Sequence, residues 1–233
     1  MAKQEQARGM FNQIAPKYDF LNHLLSFQID KLWRKKAMRC MTEADKEYVL
    51  DVACGTADFS IAAVKAGAKQ VLGMDISEEM MKIGEAKVRE AGLSERIRFK
   101  QGPCEDLGEA DRTFSAATVA FGVRNFEDRE TGMREICRVL KPGGRLVILE
   151  FSLPRLWLIR QLYLFYFDRL LPFIGGLVSG DKAAYAYLPE SVRNFPSPEA
   201  FAEVLRQCGF GEVRFRRLTM GIVVLYEAVK PAV

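Results

Sequence analysis

The residues best suited to chemistry begin with the run Val49-Leu50-Asp51-Val52-Ala53-Cys54-Gly55-Thr56-Ala57-Asp58. An apolar strand pattern ends in Asp51, and small side chains then open a helix. A tight turn of small residues lets a ligand approach the backbone, and a helix N-terminus offers unpaired N–H groups. Asp75 closes the next strand, 19 residues beyond Thr56. An acid at that place in a parallel sheet accepts hydrogen bonds from ribose hydroxyls. Two cofactors compete for such a loop, a nicotinamide dinucleotide and S-adenosyl-L-methionine (AdoMet). Ala53 and Ala57 stand where a diphosphate would want glycine, leaving Gly55 alone. Asp51 and Asp58 flank the loop with negative charge, which repels a diphosphate and suits the sulfonium and amino groups of AdoMet. The reading is AdoMet, with Asp51, Gly55, Thr56, Asp58 and Asp75 as its binding residues. The loop Gly102-Pro103-Cys104-Glu105-Asp106 closes a third strand, where Pro103 and the backbone N–H of Cys104 would flank the adenine.

Other chemistries lack parts. A single histidine, His23, is too few for a histidine-based triad or a His-rich metal site, so no metal is expected. The five cysteines, Cys40, Cys54, Cys104, Cys137 and Cys208, are scattered and form no C-x-x-C pair, which reads as reduced thiols in the cytosol. The formal charge of +4 comes from 34 basic and 30 acidic residues spread evenly, a balance too mild to argue for nucleic acid. It tolerates an anionic membrane surface. Residues 1–11 carry no apolar stretch of the secretory kind. The most apolar region, Leu156 to Val178, is interrupted by Arg160, Asp168 and Arg169, too soon for a spanning helix of about 20 residues.

The elements that must position the loop follow from periodicity. Before Tyr48 the chain is polar, basic and punctuated by aromatics. It reads as two or three short helices, with Ser26 or Asp30 starting the Lys31–Met41 segment. Strands and helices then alternate: strands over Tyr48–Val52, Gln70–Met74, Ile97–Lys100, Ala116–Ala120 and Arg145–Phe151, helices over Phe59–Lys65, Glu78–Ala91 and Arg129–Leu140. Lys141-Pro142-Gly143-Gly144 is expected to turn. This alternation predicts parallel βαβ units. An apolar helical insertion follows Pro154, then a helix over Pro198–Gln207 and two strands, Val213–Leu218 and Ile222–Val229, joined as an antiparallel hairpin by Thr219-Met220-Gly221. The expected fold is α/β, a single-domain Rossmann-like methyltransferase of the class I AdoMet-dependent kind. It has a mostly parallel seven-stranded sheet. Its parts are an N-terminal helical cap (1–46), an AdoMet-binding core (47–152), an apolar lid insertion (153–196), and a C-terminal helix and hairpin (197–233).

Further motifs sharpen this. Phe11-Asn12-Gln13-Ile14-Ala15-Pro16-Lys17-Tyr18-Asp19, with Asn22, Leu25-Ser26-Phe27 and Trp33-Arg34, opens the chain. Phe121-Gly122-Val123-Arg124-Asn125 and Leu149-Glu150-Phe151-Ser152 lie centrally, and Tyr187-Leu188-Pro189-Glu190-Ser191 and Gly221-Ile222-Val223 near the end. Together they resemble the C-methyltransferases of menaquinone and ubiquinone biosynthesis over nearly the whole chain. Pro103 departs from the Asn or Asp often found there, and Ala120 from the Ser of some members. The resemblance implies methylation of a ring carbon on a polyprenylated quinol, most closely demethylmenaquinol, with the benzoquinol precursor of ubiquinone as the alternative acceptor. It implies a cytoplasmic protein that meets the inner face of the membrane transiently, and it admits a homodimer.

A phenol is a far better carbon nucleophile once its proton leaves, so the site must take or stabilise that charge. Arg124 is the candidate to hold a forming phenolate, with Asn125 orienting the second ring oxygen and Tyr18 and Asp19 closing the pocket from the cap. In the insertion, Trp157, Leu158, Leu162, Phe165, Tyr166, Leu170 and Phe173 read either as ordinary helical core or, beside Arg155, Arg160, Arg169 and Lys182, as a lid for an isoprenoid tail at a membrane. Three rivals remain on the residues alone: an NAD(P)-dependent dehydrogenase, a methyltransferase for another lipid, and a non-catalytic AdoMet-binding scaffold of a quinone-synthesis complex.

Overall fold

The computed structural model describes residues 2–26, 28–166 and 182–232. Phe27 of the N-terminal motif and Asp168, Arg169, Leu170 and Phe173 of the expected lid lie outside them.

Seven strands form one sheet: β1 Tyr48–Val52, β2 Gln70–Asp75, β3 Ile97–Gln101, β4 Phe114–Ala120, β5 Leu140–Phe151, β6 Glu212–Leu218 and β7 Val223–Val229. Their order is β3-β2-β1-β4-β5-β7-β6. Pairings are parallel from β3 through β5, and β7 runs antiparallel to both β5 and β6. The central strands are near-continuous apolar runs because helices cover both faces. Alternation along β1 divides the core. Leu50 and Val52 join Phe114, Ile136, Ile148 and Phe201 on one side, while Val49 joins Trp33, Phe59, Val71 and Val147 on the other. The order reverses at β1, between β2 and β4, and ligands in open α/β sheets bind at such a switch point.

The helices are α1 Ala2–Leu25, α2 Ile29–Met38, α3 Asp58–Lys65, α4 Glu78–Glu90, α5 Arg129–Val139, α6 Trp157–Phe165, α7 Lys182–Arg193 and α8 Pro198–Gln207. Side chains cap three starts: Ser77 accepts from Met80 N–H, Asp128 from Glu130 and Thr131 N–H, and Ser197 from Ala200 N–H.

Three expectations change. The N-terminal region is one 24-residue helix and α2, not two or three short ones. Pro16 lies inside α1 and costs a backbone bond. Burial of Ala7, Ile14 and Ala15 carries the helix through it. Helix α2 starts at Ile29, after Gln28 in the left-handed region, and Ser26 instead donates to Asp30 Oδ1 at 2.8 Å. Lys141–Gly144 does not separate helix from strand. It lies inside β5 as an irregularity that shifts register, since Leu140 pairs with Phe114 and Arg145 with Ala116.

Candidate active site

The loop after β1 alternates unusual backbone. Ala53, Gly55 and Ala57 all have positive φ, 54°, 53° and 66°. Non-glycine residues pay for that conformation, and such cost concentrates where a ligand is cradled. The loop is held from β2: Cys54 N–H donates to the Met74 carbonyl at 3.0 Å, and Gly55 N–H to Asp75 Oδ2 at 2.8 Å. Asp75 Oδ1 takes the Ser77 N–H at 2.8 Å. Both oxygens keep a lone pair for a ribose hydroxyl.

A cavity opens over this loop. Its walls include Ala53 and Gly55, Asp75, Ile76 and Met80 from β2 and α4, Gly102 and Cys104 after β3, and Gly122 and Asn125 after β4. Phe11 and Tyr18 of α1 close it from above. The residues fit AdoMet: a buried carboxylate at the ribose position, exposed loop backbone, and apolar flanks at Ile76 and Met80 for an adenine. The walls are tight. A Cβ on Gly122 would lie 2.5 Å from Ala53 Cβ, so Gly122→Ala must push two walls apart. We expect that variant to bind AdoMet at least about tenfold more weakly, a loss of about 1.4 kcal/mol or more, by calorimetry.

Several expected binding residues stand elsewhere. Asp51 is buried behind the loop, where Ser60 Oγ and Thr118 Oγ1 donate to it at 2.5 and 2.8 Å. Thr56, Asp58 and Asp19 do not line the cavity. Asp19 accepts from Thr56 Oγ1 at 2.5 Å and from Lys87 Nζ at 2.7 Å, and Lys87 also pairs with Asp58. Their charge is spent fastening α1 to α3 and α4, not facing a sulfonium. A second clasp, Ser77 Oγ to Asn12 Oδ1 at 2.7 Å, holds α1 over the cavity. Pro103 is not among the lining residues either, although its neighbours Gly102 and Cys104 are.

Burial pushes the Asp51 carboxyl up to about 6 from an ordinary 3.8, against the bonds from Ser60 and Thr118; burial also raises Asp75. A raised acid favours the fold when protonated. Its contribution is complete below about pH 4 and is lost as pH rises through about 6, roughly 3 kcal/mol in all. Asp51→Asn should therefore flatten the melting temperature between pH 4 and 7 relative to the parent, measured by calorimetric scans.

A second cavity adjoins the first and shares Phe11, Tyr18 and Phe121 with it. It is aromatic, with Trp33, Phe151 and Tyr187 also in its walls, and Arg124, Arg34 and Asp30 as its charged groups. Phe121 and Phe151 stack at 4.4 Å, and Trp33 meets both edge-on at 6.0 and 6.3 Å. Trp33 Nε1 is anchored on Thr219 Oγ1 at 2.8 Å. Phe121 has φ 58°, a conformation a bulky residue adopts only when its surroundings impose it.

Arg124 is 6% exposed and forms an ion pair with Glu150, 0% exposed, at 2.9 Å. Its Nη1 also donates to the Phe121 carbonyl, its N–H meets Glu150 Oε2 at 3.1 Å, and its guanidinium lies 5.5 Å from the Phe151 ring centre. Its Nε is buried with no hydrogen-bond partner among the described residues. Asn125 Oδ1 accepts from the Tyr187 hydroxyl at 3.1 Å. Sequence reasoning missed Met80, Ile76 and Phe126 in the first cavity and Asp30 and Arg34 in the second. Only the Trp33-Arg34 motif hinted at the latter.

A profile of the ubiE/COQ5 methyltransferase family matches residues 1–230. The chain belongs to that family. It is a methyltransferase. It is 47% identical over 229 residues to a demethylmenaquinone methyltransferase of Bacteroides fragilis, covering 98% of this chain and 94% of that one. It is 46% identical over 230 residues to a ubiquinone/menaquinone biosynthesis C-methyltransferase UbiE of Geotalea daltonii, covering 98% and 97%. Among solved structures, the [4+2]-cyclase SpnF has a TM-score of 0.72 at 20% identity, covering 99% of this chain and 97% of that one. A SAM-dependent methyltransferase from Aquifex aeolicus has 0.62 at 20%, covering 84% and 88%. At that identity these two establish the Rossmann-like methyltransferase fold and nothing finer.

Proposed function

We propose that this methyltransferase moves the methyl group of AdoMet to a ring carbon of a polyprenylated quinol, demethylmenaquinol in menaquinone biosynthesis. The observation that carries this is the aromatic cavity lying against the cosubstrate cavity, with Phe11, Tyr18 and Phe121 lining both. A fused ring bound there would stack on Phe121, Phe151 and Trp33. The printed name of the Bacteroides fragilis relative supports the naphthoquinol. A benzoquinol precursor of ubiquinone is the second reading, supported by the relatives named for both pathways.

AdoMet supplies an electrophilic methyl on a cationic sulfur. The protein's own part is to hold and to dry the site. Asp75, Gly55 and Cys104 hold the cosubstrate. Arg124 stabilises negative charge on the ring oxygen through the Nε–H that otherwise has no partner. Asn125, oriented by Tyr187, positions the second oxygen. The α1 cap excludes water above both cavities.

The described residues at the start of the 153–196 segment, 153–166, serve as a lid and membrane-facing part of the domain. Among the described residues no helix is long and apolar enough to cross a membrane. Helix α6 and the residue before it nevertheless leave Leu156, Trp157, Leu158, Leu162 and Phe165 exposed beside Arg155 and Arg160. Such a face meets an isoprenoid tail at an interface. Trp157→Ser/Leu162→Ser should turn over vesicle-embedded quinol at least about tenfold more slowly, since each side chain contributes about 1.5–3 kcal/mol on burial. Turnover of a short-chain quinol in detergent should be unchanged.

The function itself is tested by transfer of labelled methyl from AdoMet to reduced demethylmenaquinone and to the benzoquinol precursor, each in detergent. Label in the naphthoquinol bears the proposal out. Label only in the benzoquinol selects the second reading, and label in neither, with AdoMet bound, overturns both.

A further inference from the structure

A quinol that is to attack through carbon must give up a hydroxyl proton, so the aromatic cavity needs an acceptor. The side chains described around it leave few options. Its two cations, Arg34 and Arg124, cannot accept. Glu150 lies behind Arg124, wholly buried, and does not line the cavity. Tyr187 donates its proton to Asn125, and burial raises its phenol. Asp19, expected to complete this pocket, is turned away onto Thr56 and Lys87. Tyr18 carries a phenol hydroxyl like the substrate's own, not a carboxylate. Among the residues that line this cavity, the one carboxylate is Asp30.

Asp30 is 3% exposed. Buried carboxylates are rare unless paired, and here Ser26 Oγ donates to Oδ1 at 2.8 Å and Arg34 Nη1 to Oδ2. Arg34 is fixed in turn, with Nη2 3.6 Å from Asp58 Oδ2 and its guanidinium 5.9 Å from the Phe121 ring centre. A carboxylate oxygen can accept more than one hydrogen bond, a ligand hydroxyl's included. Among the described residues, the charged and titratable groups around it include Tyr18 on α1, Arg34 on its own helix, Asp58 of α3 through Arg34, Arg124 after β4 and Tyr187 on α7. Arg34 Nε, like Arg124 Nε, is buried without a hydrogen-bond partner among the described residues.

We propose that Asp30 is the proton acceptor for the quinol hydroxyl, with Ser26 and Arg34 as the residues that position it. This rests on the quinol reading above. The O–H bond breaks and its proton passes to the Asp30 carboxylate. The oxygen's electron pair feeds the ring, whose neighbouring carbon forms a bond to the methyl carbon as the sulfur–methyl bond breaks and its pair stays on sulfur. That ring carbon then loses its hydrogen as a proton, aromaticity returns, and the ring oxygen takes a proton back from Asp30. One proton reaches solvent per turnover.

The test is Asp30→Asn, with Asp30→Glu beside it, on the full chain. At neutral pH Asp30→Asn should lose about 10²–10⁴-fold in kcat with AdoMet affinity retained by calorimetry. It should recover steeply as pH approaches the quinol's own ionisation near ~10, whereas Asp30→Glu should keep part of the rate. A purely structural role would depress kcat equally at every pH, and that result overturns the proposal. A binding measurement without AdoMet stands independently of turnover. Wild-type protein should prefer 1-naphthol to 1-methoxynaphthalene by about tenfold or more, a preference absent in Asp30→Asn. Equal affinities in the wild type overturn the proposal even if the Asn variant fails to fold. Absence of any quinol methylation by the wild-type enzyme would instead count against the function reading, so the two failures are distinguishable.

Discussion

The double variant Arg124→Leu/Glu150→Leu is expected to fold and bind AdoMet while methyl transfer falls about 10²–10³-fold. The catalytic loss follows from one buried donor. Arg124 spends Nη1 on Glu150 and the Phe121 carbonyl, yet its Nε faces no hydrogen-bond partner among the described residues. A buried unsatisfied donor costs about 1–3 kcal/mol unless something bonds it. An oxygen that gains negative charge during the reaction bonds it most strongly at that moment, and a donor aimed at developing charge contributes about 2.7–4 kcal/mol to the rate. The fold survives because replacing a buried ion pair by apolar side chains is often neutral or stabilising. The measurement is kcat at saturating quinol alongside calorimetric AdoMet binding.

The single variant Glu150→Leu is expected to lose about 3–5 kcal/mol of stability, far more than the double variant. Glu150 sits at the end of β5 and takes both the Arg124 guanidinium and its backbone N–H. Without it a buried cation stands unpaired beside the Phe121–Phe151 stack. Denaturant titration of the parent, both single variants and the double variant gives the coupling between the two residues. A coupling near zero would mean that the pair, though adjacent, carries no shared energy.

The strand and helix alternation was legible because period-2 and period-3.6 patterns are local. The loop after β1, Asp75, Cys104 and Asn125 were legible for the same reason. Each belongs to a short run whose residue types suit only a few backbone paths. What escaped was what depends on distant partners. Asp58 and Asp19 read as ligand groups, but Lys87 on α4 lies between them and takes their charge. Asp51 lies one residue before the end of its strand, and Thr118 on the neighbouring strand donates to it in the interior. Alanine favours helix, so nothing in Ala53 or Ala57 announced a positive φ; the pull of Met74 and Asp75 on the loop imposes it. Asp30 looked like a helix start, and only the fold brings it to a cavity with Arg124 and Tyr187, 94 and 157 residues away.

The fold does not choose the reaction. SpnF, named for a [4+2] cyclisation, has the same architecture over nearly the full chain. The second cavity of this protein holds stacked aromatics, two guanidinium groups and one carboxylate among its lining residues. Chemistry at ring carbon, not at oxygen, is the central claim that this content supports. A single-turnover reaction of the wild-type enzyme with ¹³C-methyl AdoMet and reduced demethylmenaquinone, read by carbon NMR of the product, tests it most directly. A new methyl signal in the aryl–carbon range, with none in the methoxy range, is the expected result. A methoxy signal would contradict it, because the oxygen held by Arg124 would then be the nucleophile and not the source of its charge.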